Sequence, residues 1–180
     1  GGLGKVMAQT RTGRGARKTG GKPEVCIFSK HLAWLDWGPM AETAKEIGFD
    51  GIDLTVRPGG HVLPERAAED LPKAFEAIKR AGMKTLKVTT AITDPRDPNT
   101  EPILKTMGRL GIPAYRMGYY HFPENKSMPD YLDEIRPMVR DLAAMNASYK
   151  VAGAYQNHSG PYLGAPIWDW WYVIRDIAPD

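Results

Sequence analysis

The sequence predicts an α/β protein built on a parallel sheet, and three observations lead there. Short β-rich apolar runs alternate with segments of helical periodicity, the alternation repeats five times, and each strand-plus-helix unit is about 30 residues long. Strands that alternate with helices pair in parallel through right-handed crossovers. Two architectures satisfy this order: an open doubly wound sheet, or part of a (β/α)8 TIM barrel. No glycine fingerprint follows the first strand, where His31-Leu32-Ala33-Trp34 stands instead, and no P-loop pattern occurs. Dinucleotide and P-loop nucleotide binding are therefore not expected.

The elements follow in order. Val25-Cys26-Ile27-Phe28 is short, apolar and β-rich, fit for a buried strand. Pro39 opens a helix with Met40, Ala44 and Ile47 on one side, since proline is tolerated in a first turn, and Gly48 ends it. Residues 51–56 form the second strand. After a Pro-Gly-Gly loop, Pro64 to Ala81 reads as a helix with Leu71, Phe75 and Ile78 aligned, stopped by Gly82. Residues 85–92 are the third strand, and 98–110 the third helix, stopped by Gly111. Residues 114–122 are the fourth strand. Residues 128–145 are the fourth helix, with a kink expected at Pro137. Residues 151–156 are the fifth strand, and 167–177 the fifth helix, with Trp168, Trp171 and Ile174 as core contacts.

The chain has 180 residues, enough for one domain with a real core. Residues 1–23 hold seven glycines, six basic residues and no acid, and are expected to be a disordered leader. Val6-Met7-Ala8 before Gln9 has the small-residue pattern of an export-signal cleavage site, which points to an exported or periplasmic protein, with a cytoplasmic one as the alternative. Without the six leader cations, 18 basic residues face 21 acids, so residues 24–180 carry about −3. A nucleic-acid footprint needs clustered basic residues on a folded face, so no nucleic-acid partner is expected. No run of 18 apolar residues occurs, so no spanning helix is expected. The lone Cys26, in an apolar run, reads as a buried inert thiol and leaves no thiolate metal cluster.

The four histidines fall after predicted strands: His31 after the first, His61 after the second, His121 at the fourth and His158 at the fifth. In parallel α/β proteins the chemistry sits at the carboxyl ends of the strands, and imidazole suits proton transfer or metal binding near neutral pH. A shared rim site is the expectation; polar residues gathering in exposed loops is the plainer alternative. Asp53, Arg57, Thr89, Thr90, Arg116 and Gln156-Asn157-His158-Ser159 lie near the same ends. For Asp53 and Arg116 a structural ion pair competes with a polar pocket. Trp34 and Trp37, on a predicted loop, suit the apolar faces of a sugar, whereas Trp168, Trp170 and Trp171 read more as packing.

Residues 51–62, Gly-Ile-Asp-Leu-Thr-Val-Arg-Pro-Gly-Gly-His-Val, followed by Pro64-Glu65-Arg66 and Asp70-Leu71-Pro72, resemble the sugar phosphate isomerase/epimerase family with a xylose-isomerase-like barrel. So do Tyr155-Gln156-Asn157-His158-Ser159-Gly160 and Gly164-Ala165-Pro166-Ile167-Trp168-Asp169. The resemblance spans residues 24–180. It implies an eight-stranded barrel and a divalent metal (Mn, Mg, Co or Zn) at the rim. The ligands it implies are a glutamate at the end of strand five, then an aspartate, a histidine and a glutamate on strands six to eight. Two of those carboxylates move a proton beside a carbonyl that the metal polarises. Here Gln156 stands at the first position, a weak metal ligand that brings no charge and cannot act as a base.

A complete barrel needs about 250 residues, so five units predict an incomplete one and an inactive fragment of an isomerase or sugar epimerase. Its open edges predict low stability or self-association. The expected partner is a small sugar or sugar phosphate, contacted by Trp34, Trp37, His61, Arg116 and His158, with the catalytic carboxylates beyond the C-terminus. The alternatives are a non-catalytic sugar-binding module on a degenerate barrel and an abasic-site endonuclease-like protein, the last disfavoured by the acidic body.

Overall fold

The computed structural model describes residues 23–177; the expected leader, apart from Pro23, and its cleavage-like site lie outside them. Ten main elements alternate: β1 (Cys26–Phe28), α1 (Trp37–Ile47), β2 (Gly51–Val56), α2 (Ala67–Arg80), β3 (Lys84–Thr90), α3 (Thr100–Leu110), β4 (Ala114–Arg116), α4 (Met128–Tyr149), β5 (Ala152–Ala154) and α5 (Ile167–Ile174). The five strands form one parallel sheet in sequence order, β1-β2-β3-β4-β5. That order is an arc of a TIM barrel; a doubly wound sheet would reverse direction at a switch point.

Alternation along the strands divides the side chains between two faces. Ile52, Leu54, Val56, Val88 and Tyr115 are buried in the core, and the register aligns Leu54 with Val88 and Val88 with Tyr115. Tyr115 donates to Asn146 Oδ1 of α4 at 3.1 Å. A Cβ on Gly153 would lie 3.0 Å from the Tyr115 hydroxyl oxygen, so β5 passes over that ring because it carries glycine there. The other face holds Asp53, Thr55, Lys87, Thr89 and Arg116. A register shift between Ile52 and Asp53 moves Lys87, rather than the residue before it, opposite Asp53.

Glycine marks the ends of α1 and α3 but not that of α4. Gly48 and Gly111 take the left-handed conformation after α1 and α3. The fourth helix runs on to Tyr149 as one element through Pro137, and Lys150 adopts φ 57° where no glycine marked a stop. Its start is well specified, because the Ser127 hydroxyl accepts from the Asp130 amide.

Two strands are much shorter than the sequence predicts, and β1 and β3 are each shorter by one residue. The fourth leaves the ladder after Arg116 instead of running to Phe122. A Cβ on Gly118 would stand 2.5 Å from the Ala91 carbonyl oxygen, and the Gly118 amide donates to Ile92 O at 2.8 Å, so the chain crosses the end of β3 there. The fifth stops at Ala154, because Tyr155 turns to stack on Trp170, with centroids 4.2 Å apart, and to donate to Leu163 O. Val173 and, in part, Trp170 are therefore inward residues of α5, and Asp169 is buried with them. Trp168 and Trp171, expected in the core, are 73% and 51% exposed. Apolar residues nearly encircle α5, so periodicity could not select its face.

Burial pushes the Tyr115 and Tyr155 hydroxyls up to about 12, and raises Tyr120 as well. The unfolded chain ionises these groups first, near the ordinary ~10. Stability is therefore whole below pH ~10 and is lost as pH rises from there to about 12. The urea midpoint measured from pH 9 to 12 should fall across that window, and Tyr115→Phe should make the fall shallower. A flat or rising midpoint contradicts this account of the core.

Candidate functional site

The loop after β2 is fixed by its own backbone. Gly60 N–H donates to Arg57 O at 2.9 Å, Val62 N–H to Thr55 O at 3.1 Å and Arg57 N–H to Val62 O at 3.1 Å. Gly59 has φ 66°, and a Cβ on Gly60 would lie 3.0 Å from Thr55 Cβ. Both positions require glycine. This turn brings His61 back over Thr55: the His61 amide donates to Thr55 Oγ1 at 2.9 Å, and Nδ1 lies 3.2 Å from the same oxygen. Thr55 N–H in turn donates to the buried Ser29 Oγ at 2.9 Å. Serine, threonine and histidine thus tie the end of β1 to the loop after β2.

Trp37 completes this clamp. It is the first residue of α1 rather than a loop residue, it is half-buried, and its Nε1 donates to His61 O at 2.9 Å. Its observed contact positions the loop. Trp34, by contrast, stands 75% exposed on the turn between β1 and α1.

Beside the clamp lies a continuous rim of aromatic and cationic groups. Phe28, the last residue of β1, has the Arg57 and Arg116 guanidinium carbons 5.6 and 5.8 Å from its ring centre, with the His31 ring edge-on at 6.0 Å. Such cation–π contacts contribute about 0.5–1 kcal/mol at exposed sites. Arg116 donates to Tyr119 Oη at 3.0 Å and Gln156 Oε1 at 2.9 Å, and Tyr119 donates to the same Gln156 oxygen at 3.3 Å. The His158 ring packs against Tyr119 and Tyr162, and its Nδ1 donates to Ser159 O at 2.7 Å. His121 lies against Tyr162, with centroids 4.3 Å apart. Each histidine therefore follows a strand at the same end of the sheet, spread along the rim and not joined in one cluster.

Register explains the grouping. Thr55, Thr89, Arg116 and Ala154 pair across β2 to β5 as a single row, and Gln156 lies two residues above Ala154 on the same side. Below that row, Asp53 pairs with Lys87 at 3.1 Å and accepts from Thr89 Oγ1 at 2.9 Å. The Lys87 side chain is 48% exposed, so the pair contributes at most about 1 kcal/mol. Asp53 thus has an ion pair, whereas Arg116 has an amide and a phenol. Phe28, Lys87, Tyr119 and Tyr162 were missed in the sequence; Lys87 was findable, two residues before Thr89 and so on the same face. Cys26 is half-buried rather than buried; burial, and then the Asp53 carboxylate, push its thiol up, which favours the protonated form.

The donor set does not fit a divalent cation. Among the described residues no group of three or more His, Cys, Asp or Glu side chains is placed to hold one. The Gln156 oxygen, the expected weak ligand, already accepts from a guanidinium that would repel a metal ion. A cavity of about 550 Å³ lies elsewhere, between α4, β5 and α5, lined by Val139, Leu142, Val151, Trp170 and Ile174.

Comparison with known proteins gives the fold a place. No family model and no curated protein sequence matches the chain. Solved structures do match. A D-tagatose 3-epimerase-like protein aligns over 86% of this chain with a TM-score of 0.65 at 13% identity. The probable 3-DHS dehydratase AsbF from Bacillus anthracis aligns over 87% with 0.66 at 10%. A xylose isomerase-like TIM barrel protein from Mycobacterium smegmatis, in complex with magnesium, aligns over 78% with 0.59 at 15%. The chain spans 61%, 60% and 52% of their respective lengths. At these identities the likeness establishes the fold, that of the xylose isomerase-like TIM barrel.

Thr55→Val keeps the shape of the side chain and removes the oxygen that holds the His61 amide. Its cost should be about 1–3 kcal/mol, read as a lower urea midpoint, with the His61 amide resonance displaced. Unchanged stability together with an unmoved His61 resonance contradicts the clamp.

Proposed function

We propose that this chain is the substrate-binding arc of a barrel that acts on a sugar or sugar phosphate. The reaction proposed for the whole protein is movement of a proton at the carbon beside a carbonyl, as in an isomerase or epimerase. The observation that supports this reading is the Arg116–Tyr119–Gln156 network beside Phe28 at the carboxyl ends of the strands. Fixed donors next to an aromatic face suit a ligand with apolar C–H faces and many hydroxyls. A neighbour in fold described as D-tagatose 3-epimerase-like lends the substrate class its support.

The roles follow from geometry. Arg116 donates to a carbonyl or hydroxyl oxygen of the ligand, and Tyr119, whose O–H is engaged with Gln156, accepts from a ligand hydroxyl. Gln156, its oxygen engaged, offers its amide N–H groups. His158, protonated at Nδ1 toward Ser159 O, presents Nε2 as an acceptor. Trp34 supplies an exposed apolar platform. Asp53, the single acid among the strand residues, has one oxygen on Lys87 and one on Thr89 and is not available as a base. The described residues therefore recognise and orient, and no step is assigned to a metal. The engagement of the Gln156 oxygen favours a second reading, a sugar-binding module without catalysis.

Titration with D-tagatose and D-fructose, with and without chelator, separates these readings. Binding should be saturable and insensitive to chelator, and Arg116→Gln should weaken it at least ~10-fold, the effect of losing charge-assisted hydrogen bonds. Tyr119→Phe, a milder change, should weaken it less. Deuterium uptake from D₂O at the carbon beside the carbonyl marks the enzyme, and binding without uptake marks the module. Failure of every sugar to bind overturns both.

A further inference from the structure

The Pro58-Gly59-Gly60 turn borders a small cavity that the sugar-facing network does not use. Its volume is about 60 Å³, and its lining includes Lys30, Thr55, Arg57, Gly59, Gly60 and His61, with no carboxylate. Two cationic side chains and an imidazole meet there, although residues 24–180 carry a net charge of about −3. Among the described residues neither Lys30 nor Arg57 takes part in an ion pair. The His61 Nε2 is buried without a hydrogen-bond partner, and a buried polar atom left unpaired calls for an explanation.

The cavity is also built rigidly. Thr55, which holds His61, lines it, as does the turn closed by the Gly60 N–H to Arg57 O bond. Arg57 is further restrained by its contact with the Phe28 ring. A side chain on Gly60 would collide with Thr55, so the space exists because glycine stands there. Small volume, positive charge and a fixed backbone together describe a receptor for a small oxyanion.

We propose that Lys30, Arg57 and His61 form a subsite for a small oxyanion, a phosphate or carboxylate carried on the substrate. The proposal rests on the sugar-binding reading in one respect: it makes the sugar an anionic one. Arg57 lies over Phe28 from the subsite side and Arg116 over the same ring from the sugar-binding network. A ligand with an anionic end would therefore lie across Phe28, its charge at Arg57 and its hydroxyls at Arg116.

The test uses inorganic phosphate and acetate on the intact chain, followed by amide resonances. Phosphate or acetate should shift Gly59, Gly60 and His61 in a saturable way, and the tighter of the two identifies the oxyanion. Lys30→Gln combined with Arg57→Gln should weaken that response at least ~10-fold, while the core resonances of Leu54 and Tyr115 stay in place to show that the variant is folded. No shift at the turn with either anion overturns the subsite, as does a response that the double variant leaves unchanged. Response to D-tagatose without response to either anion removes the subsite and leaves the sugar-binding reading standing. Response to the anion without response to any sugar does the reverse.

Discussion

Side chains of a strand alternate between its two faces, and in β2 both faces are buried. Ile52, Leu54 and Val56 belong to the core, while Asp53 and Thr55 meet Lys87, Thr89, Ser29 and His61 on the opposite side. A slip of one residue would exchange these sets, placing a carboxylate and a hydroxyl in the core and three apolar side chains beneath the rim. The irregularity between Ile52 and Asp53 sets the phase of β3 so that Lys87 and Thr89 fall opposite Asp53 and Thr55. Everything at the rim inherits that phase, because Arg116 pairs with Thr89 and Ala154 with Arg116.

The rim loops are then held by a few buried groups. Thr55 stands between Ser29 and His61, Trp37 clamps the His61 carbonyl, and glycine turns admit close backbone approaches at Gly60 and Gly118. Binding surfaces placed on loops need this rigid support to keep their geometry. At β5 the sheet behaves differently. All three of its residues are exposed, and the chain departs at once for the Tyr155–Trp170 stack.

The sequence was most legible where pattern and punctuation agreed. Residues 51–56 carry both the alternation and the flanking turns, and β2 has those bounds in the structure. Glycine marked the ends of α1 and α3, but Lys150 ended α4 in a conformation that nothing in the chain signalled. The fourth and fifth strands are shorter than their sequences suggest, since the largely aromatic residues 117–122 and Tyr155 look like strand but are used as rim and packing. Legibility of the site was partial for a related reason. Arg116 and Gln156 were visible as polar residues near strand ends, yet their hydrogen bond depends on register between strands 40 residues apart. Trp37 looked like a loop aromatic because a helix beginning at Trp37 before Gly38-Pro39 gives little warning in sequence.

The proposed ligand-binding surface is the carboxyl-end rim around Phe28, Arg116 and Gln156, and a map of amide shifts on addition of D-tagatose locates the ligand. Shifts are expected at the ends of β1, β2, β4 and β5 and in the loops that follow them, with α4 and α5 quiet. Shifts concentrated instead on Val139, Leu142, Val151 and Ile174, around the apolar cavity between α4 and α5, would contradict it.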